Sequence, residues 1–198
     1  MGTRVVIAED EALIRLDLKE TLEEEGYEVV GETSRGDEVV ALVREHRPDL
    51  AILDIKMPGG DGLSAAAEIT AERLAAVLIL TAFSQRELVD RAREAGALAY
   101  LVKPFQRNDL VPAIELAIGR FEEMKALEAE NKDLEERLAT RKLVERAKGL
   151  LMDEFDMKEN EAFRWIQRRA MDERRTMKDV AERILDGRLR PQLPLAGT

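Results

Sequence analysis

Short apolar runs rich in β-branched residues alternate, over the first 120 residues, with longer stretches whose apolar positions recur every three or four residues. The short runs predict strands at residues 5–8, 28–30, 50–53, 76–80 and 99–102. About five amphipathic helices lie between and after them. Strands that alternate with helices at this spacing form a parallel sheet covered on both faces, so we expect an α/β domain over residues 1–120.

The pattern becomes continuously helical after Leu110, without Gly or Pro from residue 120 to 148. Apolar positions spaced by three and four form a heptad seam within residues 121–140. A surface helix packed on its own domain would show the same pattern, but a polar residue inside the seam favours a register-fixing coiled coil. We therefore predict a coiled-coil linker over 121–140 that joins two copies of the chain through Met124, Leu127, Asn131, Leu134 and Leu138.

Residues 141–186 predict three short helices that pack as a small all-helical unit. Asp156 with Glu159, and Thr176 with Asp179, have the spacing of capping boxes at the starts of the second and third helices. The remaining residues, 187–198, contain two prolines and two glycines, so we expect a disordered tail.

Composition excludes several classes of protein. The chain has no cysteine, which excludes disulfides, thiolate metal sites and a catalytic cysteine. Its single histidine, His46, argues against a His-rich metal site or a Ser/His/Asp triad. The apolar run after the N-terminus is too short for a signal peptide or a membrane span. We expect a cytoplasmic protein that does not contact membranes.

Charge is unevenly distributed along the chain. Residues 1–120 contain 14 basic and 23 acidic residues, and residues 121–140 contain 3 and 7. Residues 141–198 contain 14 basic and 11 acidic residues, although the whole chain has a net charge of −10. Charge varies along any chain, but a basic C-terminal segment leaves a nucleic-acid partner open.

Three carboxylates follow two predicted strands: Glu9 and Asp10 after the first, and Asp54 after the third. In an open parallel sheet the carboxyl ends of the strands form the ligand-binding edge. Clustered carboxylates repel one another and need a cation, and an all-oxygen site suits Mg²⁺. The alternative is a set of independent acidic residues on surface loops.

Two further residues at the same edge indicate phosphoryl transfer. Thr81 ends the fourth predicted strand, and Lys103 follows the fifth. With a metal, Lys103 would neutralise the phosphoryl oxygens, the Thr81 hydroxyl would donate to one of them, and Asp54 would be the nucleophile.

These motifs resemble the receiver domain of two-component response regulators. The resemblance is carried by Glu9-Asp10, by Leu53-Asp-Ile-Lys-Met-Pro with Gly62 following, by Thr81-Ala82 and by Lys103-Pro104. It implies a flavodoxin-like doubly wound sheet of five parallel strands in the order 2-1-3-4-5. It also implies phosphorylation of Asp54 by a sensor histidine kinase, with slow autodephosphorylation as the only other reaction.

The resemblance further assigns roles to single residues. Asp10 and Asp54 would bind Mg²⁺ or Mn²⁺ directly, Glu9 through water, and Lys56 through its backbone carbonyl. Tyr100 matches the family's switch residue, which turns inward as Thr81 moves; simple packing at a strand end is its alternative. The Lys103-Pro104 bond is expected to be cis. Glu9 stands where Asp is commoner, and its extra methylene could alter metal affinity.

Residues 141–186 resemble the ANTAR domain, a three-helix RNA-binding module of antitermination regulators. The matching stretches are Ala147-Lys-Gly-Leu-Leu-Met, Glu161-Ala-Phe-Arg-Trp-Ile-Gln-Arg-Arg-Ala-Met and Val180-Ala-Glu-Arg-Ile-Leu. The resemblance implies binding of paired stem-loops in nascent leader RNA, which prevents terminator formation, after phosphorylation has promoted a homodimer.

The residues themselves support an RNA interface in part. A mid-helix glycine costs roughly 1 kcal/mol relative to alanine, so Gly149 suggests the close approach of either a neighbouring helix or a phosphate backbone. Trp165 could stack on an unpaired base or cover the small core. A DNA-binding helix-turn-helix and a protein-binding output remain alternatives. We predict RNA contacts at Lys142, Arg146, Lys148, Gly149, Trp165, Arg168 and Arg169.

Overall fold

The computed structural model describes residues 2–82 and 86–191, and the chain divides into two compact units, Met1–Ala126 and Leu127–Thr198. Each unit is described by itself. No helix within the described residues is long and apolar enough to cross a membrane.

The first unit contains a five-stranded parallel sheet and a small antiparallel hairpin formed by β4 and β5. The strands are β1 (Arg4–Ala8), β2 (Glu28–Thr33), β3 (Leu50–Asp54), β4 (Lys56–Met57), β5 (Gly60–Asp61), β6 (Ala76–Thr81) and β7 (Ala99–Val102). The sheet order is β2-β1-β3-β6-β7, which confirms the predicted order of the five parallel strands. The helices are α1 (Ala12–Glu24), α2 (Gly36–His46), α3 (Gly62–Ala71), α4 (Arg86–Glu94) and the start of α5 (Arg107–Phe155).

Helices cover both faces of this sheet because its central strands are apolar on both sides. Every residue of β3 and β6 is buried. One core cluster contains Val6, Leu53 and Ile79 with Ile69 of α3, and the other contains Ile7, Ile52 and Leu78 with residues of α1 and α5. The apolar runs of the sequence therefore predicted the centre of the sheet correctly.

The second unit contains the C-terminal part of α5, α6 (Glu159–Asp172) and α7 (Met177–Leu185). One face of each helix contributes to a single apolar core. The fully buried or nearly buried members are Val144, Ala147, Leu151, Ala162, Ile166, Ala170, Val180, Ala181 and Ile184.

Helix boundaries differ from the prediction in this unit. The predicted linker and the first of the three short helices belong to one helix of 49 residues, α5. The sequence contains no stop signal near residue 140, and Gly149 does not interrupt the helix. The prediction of a helix that begins at residue 141 was therefore wrong.

One predicted capping box is present and the other is not. Thr176 Oγ1 accepts from the Asp179 amide at 3.1 Å, and the Asp179 carboxylate accepts from the Thr176 amide at 3.1 Å. Asp156 instead follows the end of α5 with a left-handed φ of 51°. The residue before α6 is Lys158, whose amide donates to the Glu161 carboxylate at 3.0 Å. The predicted Asp156–Glu159 capping box was therefore wrong, because the N-cap of α6 is Lys158, two residues after Asp156.

The predicted disordered tail is ordered in its first part. The Leu189 amide donates to the Arg183 carbonyl at 2.9 Å, and its side chain packs against the core of the second unit. Arg190 forms a 3.1 Å ion pair with Glu154. The rest of the predicted tail, residues 192–198, lies outside the described residues.

Among the described residues, four other than glycine adopt left-handed backbone conformations, each within two residues of the end of a helix. Arg47 follows α2 with φ 45°, Arg73 follows α3 just beyond its C-cap with φ 55°, and Asp156 and Arg174 follow α5 and α6, each with φ 51°. Glycine occupies the corresponding place after α1 and α4, at Gly26 and Gly96. A Cβ atom in this conformation approaches the next carbonyl, which is why glycine is favoured there.

Candidate functional site

The carboxyl ends of four strands place the predicted phosphoryl-transfer residues at one edge of the sheet. Asp54 and Thr81 are the last residues of β3 and β6, while Glu9 and Lys103 follow β1 and β7 directly. The pairing of Asp54 with Leu80, and of Thr81 with Val102, fixes these ends side by side. The structure thus brings these four residues together with Asp10.

Lys103 lies between two carboxylates at the centre of this cluster. Its Nζ is 2.5 Å from Glu9 Oε2 and 3.3 Å from Asp54 Oδ1. Glu9 is fully buried and Asp54 is nearly so, whereas Asp10 is exposed. Thr81 is also buried, and Asp10 is the carboxylate of the cluster that faces solvent.

Burial and charge act in opposite directions on the two buried carboxyls. Removal from water is the largest single effect and raises the pKa of Glu9 and of Asp54, while the Lys103 ammonium lowers both; the net pKa of each carboxyl lies above its ordinary value. The neighbouring carboxylates add repulsion: Asp54 raises the pKa of Glu9, and Asp10 raises the pKa of Asp54. The site therefore favours a further cation.

The donor set fits a divalent metal ion. One carboxylate oxygen from each of Glu9, Asp10 and Asp54 lies within 4.8 Å of the others. Glu9 Oε2 is buried and accepts no hydrogen bond; the nearby ammonium is at ion-pair distance but outside hydrogen-bond geometry. An oxygen-only set of this kind suits Mg²⁺ or Mn²⁺. Lys56 lies beside the cluster in β4, and the role of its backbone carbonyl as a ligand stays a prediction.

Comparisons with known proteins agree with this geometry. Residues 5–115 match the family model of the response regulator receiver domain, and residues 132–185 match that of the ANTAR domain. The chain is a two-component response regulator.

Relatives cover either the whole response regulator or its receiver domain. The transcriptional regulatory protein PdtaR of Mycobacterium tuberculosis is 63% identical over 183 residues, which cover 92% of this chain and 89% of that protein. The chemotaxis protein CheY of Thermotoga maritima is 39% identical over 115 residues, 58% of this chain and 96% of its own. Among solved structures, the signal receiver domain of NarL from M. tuberculosis has a TM-score of 0.57 at 32% identity, covering 60% of this chain and 97% of that one.

Gly62 is required by the path of the backbone beneath the acid cluster of the response regulator. A Cβ atom at this position would lie 1.9 Å from the carbonyl oxygen of Asp54. The Gly62 amide donates to the Ile55 carbonyl at 2.9 Å, so the start of α3 is held against the end of β3. The glycine of the receiver motif thus allows the close approach that positions Asp54.

Two residues that hold Glu9 were not anticipated. The Arg15 guanidinium donates to the Glu9 carbonyl oxygen at 2.5 Å, and the Glu11 amide donates to Glu9 Oε1 at 3.2 Å. Glu11 is the N-cap of α1, and Arg15 lies in the first turn of that helix. No sequence pattern marked Arg15, because its role depends on the direction of the helix rather than on residue spacing.

Two further features expected of the receiver lie on β7 or directly after it. The Lys103–Pro104 bond is cis, as expected. Tyr100 lies on β7 with 48% of its surface exposed, so in this structure its ring points outward. Its inward movement as a switch stays a prediction.

The heptad seam of the response regulator is largely uncovered in the single chain. Leu127, Leu134 and Leu138 are 55%, 54% and 54% exposed, and Asn131 is exposed as well. Met124 differs, because it packs partly against the core of the first unit. The dimer itself stays a prediction.

Three of the seven predicted RNA contacts of the ANTAR unit are exposed, and the other four are partly or fully buried. Lys142, Arg146 and Arg168 are exposed and have no ion-pair partner among the described residues. Arg169 is partly buried and lies over the Trp165 ring, 5.4 Å from its centroid, while Trp165 is partly buried at the edge of the core.

The structure does not support helix packing as the reason for Gly149, or an exposed position for Lys148. No atom outside the helix lies within 4 Å of the position a Gly149 Cβ would occupy, so no neighbouring helix explains this glycine in the described structure. Lys148 is buried, and its ammonium is bound by the carboxylates of Glu145 and Glu159. The expected RNA contact at Lys148 therefore needs correction: its side chain is folded into the unit.

Proposed function

We propose that this response regulator is phosphorylated on Asp54 by a sensor histidine kinase and then dimerises and binds RNA stem-loops to cause transcription antitermination. The single observation that carries the proposal is the Lys103 ammonium held between Glu9 and Asp54 in a chain that also matches the ANTAR domain. The PdtaR relative is a transcriptional regulatory protein by name, which supports an output that acts on transcription.

In the proposed reaction, Asp54 Oδ bonds to phosphorus while the phosphorus–nitrogen bond of a kinase phosphohistidine breaks. The imidazole leaves with the electron pair of that bond and takes a proton. Lys103 stabilises the negative charge on the phosphoryl oxygens, and the Thr81 hydroxyl donates to one of them. Glu9, Asp10 and Asp54 would hold Mg²⁺ or Mn²⁺, which when bound supplies further charge neutralisation.

Dimerisation would bury the three exposed leucines of the seam. Each fully buried leucine side chain is worth about 1.5–3 kcal/mol relative to exposure, and Asn131 would fix the register. Two ANTAR units would then bind two stem-loops of one RNA, with affinity raised by their effective concentration.

The RNA contacts we propose are Lys142, Arg146 and Gly149 on α5, with Trp165, Arg168 and Arg169 on α6. Cations without ion-pair partners are available to phosphates, and a glycine between them allows the backbone to come close. The Arg169 guanidinium already stacked on Trp165 provides a mixed aromatic and cationic surface for an unpaired base.

Binding of a paired stem-loop RNA and of duplex DNA, with and without beryllofluoride, tests the output. We expect RNA to be preferred and beryllofluoride to raise its affinity, with no beryllofluoride effect in Asp54→Asn. Preference for duplex DNA would instead favour a DNA-binding regulator, and binding of neither would favour a protein-binding output. Salt concentration should be varied, because phosphate contacts make affinity salt-dependent.

Sedimentation tests the dimer step separately. Beryllofluoride should convert monomer to dimer in the wild-type chain and in Leu13→Glu, a matched control at a leucine that is 83% exposed outside the seam. Leu134→Glu should stay monomeric because like charges would meet in the seam. An unchanged wild-type monomer would exclude phosphorylation-promoted dimerisation.

A further inference from the structure

Lys148 is a buried cation enclosed by its own unit. Its side chain is 8% exposed, although it lies in a helix whose neighbouring charged residues Glu145 and Arg146 are exposed. Nζ lies 3.1 Å and 2.9 Å from the two carboxylate oxygens of Glu145, and 2.8 Å from Glu159 Oε1. The pKa of Lys148 is raised, first by the hydrogen bond to Glu159 and then by that to Glu145.

These contacts occupy the donors of the ammonium group. A lysine ammonium has three N–H donors and no acceptor. Three carboxylate oxygens within 3.1 Å accept from it, so none of its protons remains for a phosphate oxygen in this arrangement. Lys148 is thus oriented towards the protein rather than towards a ligand.

The Lys148–Glu159 contact connects two helices across a tight turn. Glu145 lies on α5, one turn before Lys148, whereas Glu159 is the first residue of α6. The turn between the helices contains a left-handed residue, Asp156, and an extended one, Lys158. A carboxylate in the first turn of a helix also interacts favourably with the helix dipole. The ion pair therefore fixes where α6 begins relative to α5.

The proposed RNA contacts are divided between these two helices. On α5, a rotation of about 100° per residue places Lys142, Arg146 and Gly149 at least about 100° around the helix from Lys148. The other contacts, Trp165 and Arg168 with Arg169, lie on α6. A change in the position of α6 would therefore alter the spacing between the two halves of the surface without removing any contact residue.

We propose that Lys148 and Glu159 are positioning residues, which hold the α5 and α6 halves of the RNA-binding surface in register. This inference rests on the proposed function. It assigns to an acidic residue, Glu159, a supporting role in the binding of a polyanion.

Glu159→Gln should change RNA affinity in opposite directions for the two possible roles of Glu159. If Glu159 is only a nearby negative charge, its removal raises RNA affinity, because less repulsion opposes the phosphates. If it positions α6, its removal lowers affinity; we expect a loss of roughly threefold to tenfold in Kd for a stem-loop RNA. Asp153→Asn is the matched control, since Asp153 is an exposed acid on α5 with no ion pair among the described residues. It should leave affinity unchanged or raise it.

The salt dependence of binding separates positioning from direct contact at Lys148. Removal of a phosphate contact lowers the slope of log K against log salt by about one, as we expect for Arg146→Ala. Lys148→Met should lower affinity and leave the slope at its wild-type value. A reduced slope in Lys148→Met would identify a phosphate contact and overturn the inference.

Trp165 allows the folding of each variant to be checked in the absence of RNA. It is the only tryptophan of the chain and lies at the edge of the ANTAR core, so its fluorescence reports unfolding of that unit alone. Affinity is to be compared well below the unfolding midpoint of each variant. A loss of stability with unchanged affinity would overturn positioning, as would a gain of affinity in Glu159→Gln. Failure of the wild-type chain to bind RNA would instead reject the proposed function.

Discussion

Each unit of the chain surrounds one lysine ammonium with two carboxylates, but the carboxylates differ in burial. In the receiver, Lys103 contacts Glu9 and Asp54, whose side chains are 0% and 10% exposed. In the ANTAR unit, Lys148 contacts Glu145 and Glu159, whose side chains are 57% and 67% exposed. The two lysine side chains themselves are almost equally buried, at 10% and 8% exposure.

This difference indicates that the hydration of the two carboxylates decides what a lysine with two carboxylates can do. Buried carboxylates have lost water, so the receiver cluster retains a demand for positive charge that a metal and a phosphoryl group can use. Exposed carboxylates keep their water, and the Lys148 ammonium simply lowers the pKa of Glu159. The first arrangement supports chemistry, and the second holds two helices together.

The largest expected effect is the loss of stability on removal of Lys103, compared with the removal of Lys148. Lys103→Met leaves two buried carboxylates without their cation, and with metal chelated we expect the receiver to lose about 3 kcal/mol of unfolding free energy at neutral pH. Lys148→Met leaves two hydrated carboxylates, so the ANTAR unit should change much less. Denaturant unfolding followed by circular dichroism reports both units, and Trp165 fluorescence reports the second. Equal losses of unfolding free energy in the two units would show that the burial of the carboxylates does not distinguish the two sites.

Two glycines give the next largest contrast. Gly62→Ala would place a Cβ atom 1.9 Å from the Asp54 carbonyl oxygen, so the backbone must move and we expect a loss of about 1–3 kcal/mol in the receiver. Gly149→Ala meets open space and should stabilise α5 by up to about 1 kcal/mol. The same unfolding experiments measure both. A destabilised Gly149→Ala would mean that another part of the protein approaches α5 in solution.

The smallest expected effect is an opposite response of the two units to pH. Burial and a 2.9 Å hydrogen bond to Glu115 raise the pKa of Tyr27 to about 12, so the neutral phenol favours the folded receiver. Its stabilisation is complete below the unfolded pKa of about 10 and is lost as pH rises towards 12. Tyr27→Phe should remove the part of the receiver's loss of stability at alkaline pH that comes from ionisation of this tyrosine.

Acid should act on the ANTAR unit instead. Lys148 lowers the pKa of Glu159, and the Thr176 hydrogen bonds lower that of Asp179. Depressed carboxyl pKa values stabilise the folded state above their unfolded values of 4.5 and 3.8, and this contribution is lost as pH falls through the lower folded values. Unfolding monitored by Trp165 between pH 7 and pH 3, about the range in which carboxyls titrate, should show the loss. Thr176→Ala should reduce it.

The receiver site was predictable because topology converts local motifs into spatial neighbours. Once residues 50–54 and 76–81 are identified as parallel strands, their carboxyl ends must lie together, and Asp54 meets Thr81 without further information. The Thr176–Asp179 capping box was predictable for a similar reason, since both partners lie within one helical turn. Short-range rules suffice where the geometry is short-range.

The ANTAR surface was less predictable because its contacts cross an irregular turn. Lys148 belongs to a motif and carries charge, so the sequence favoured an exposed contact; its pairing with Glu159 depends on the left-handed backbone at Asp156. That same conformation moved the N-cap of α6 to Lys158 and defeated the predicted Asp156–Glu159 box. The exposed fraction of a charged side chain on a helix depends on neighbours that residue spacing does not specify.

Three arginines adopt left-handed backbone conformations just after helices. The folded protein is therefore less stable to heat than it would be with glycine at these positions. Arg47, Arg73 and Arg174 occupy backbone positions where glycine avoids a steric cost of about 1–2 kcal/mol, partly offset by the entropy that glycine loses on folding. None of the three belongs to the phosphorylation site. Variants that carry glycine there should therefore be more stable and better suited to structural work on the intact regulator. The natural chain therefore does not carry the most stabilising residue at each of these backbone positions.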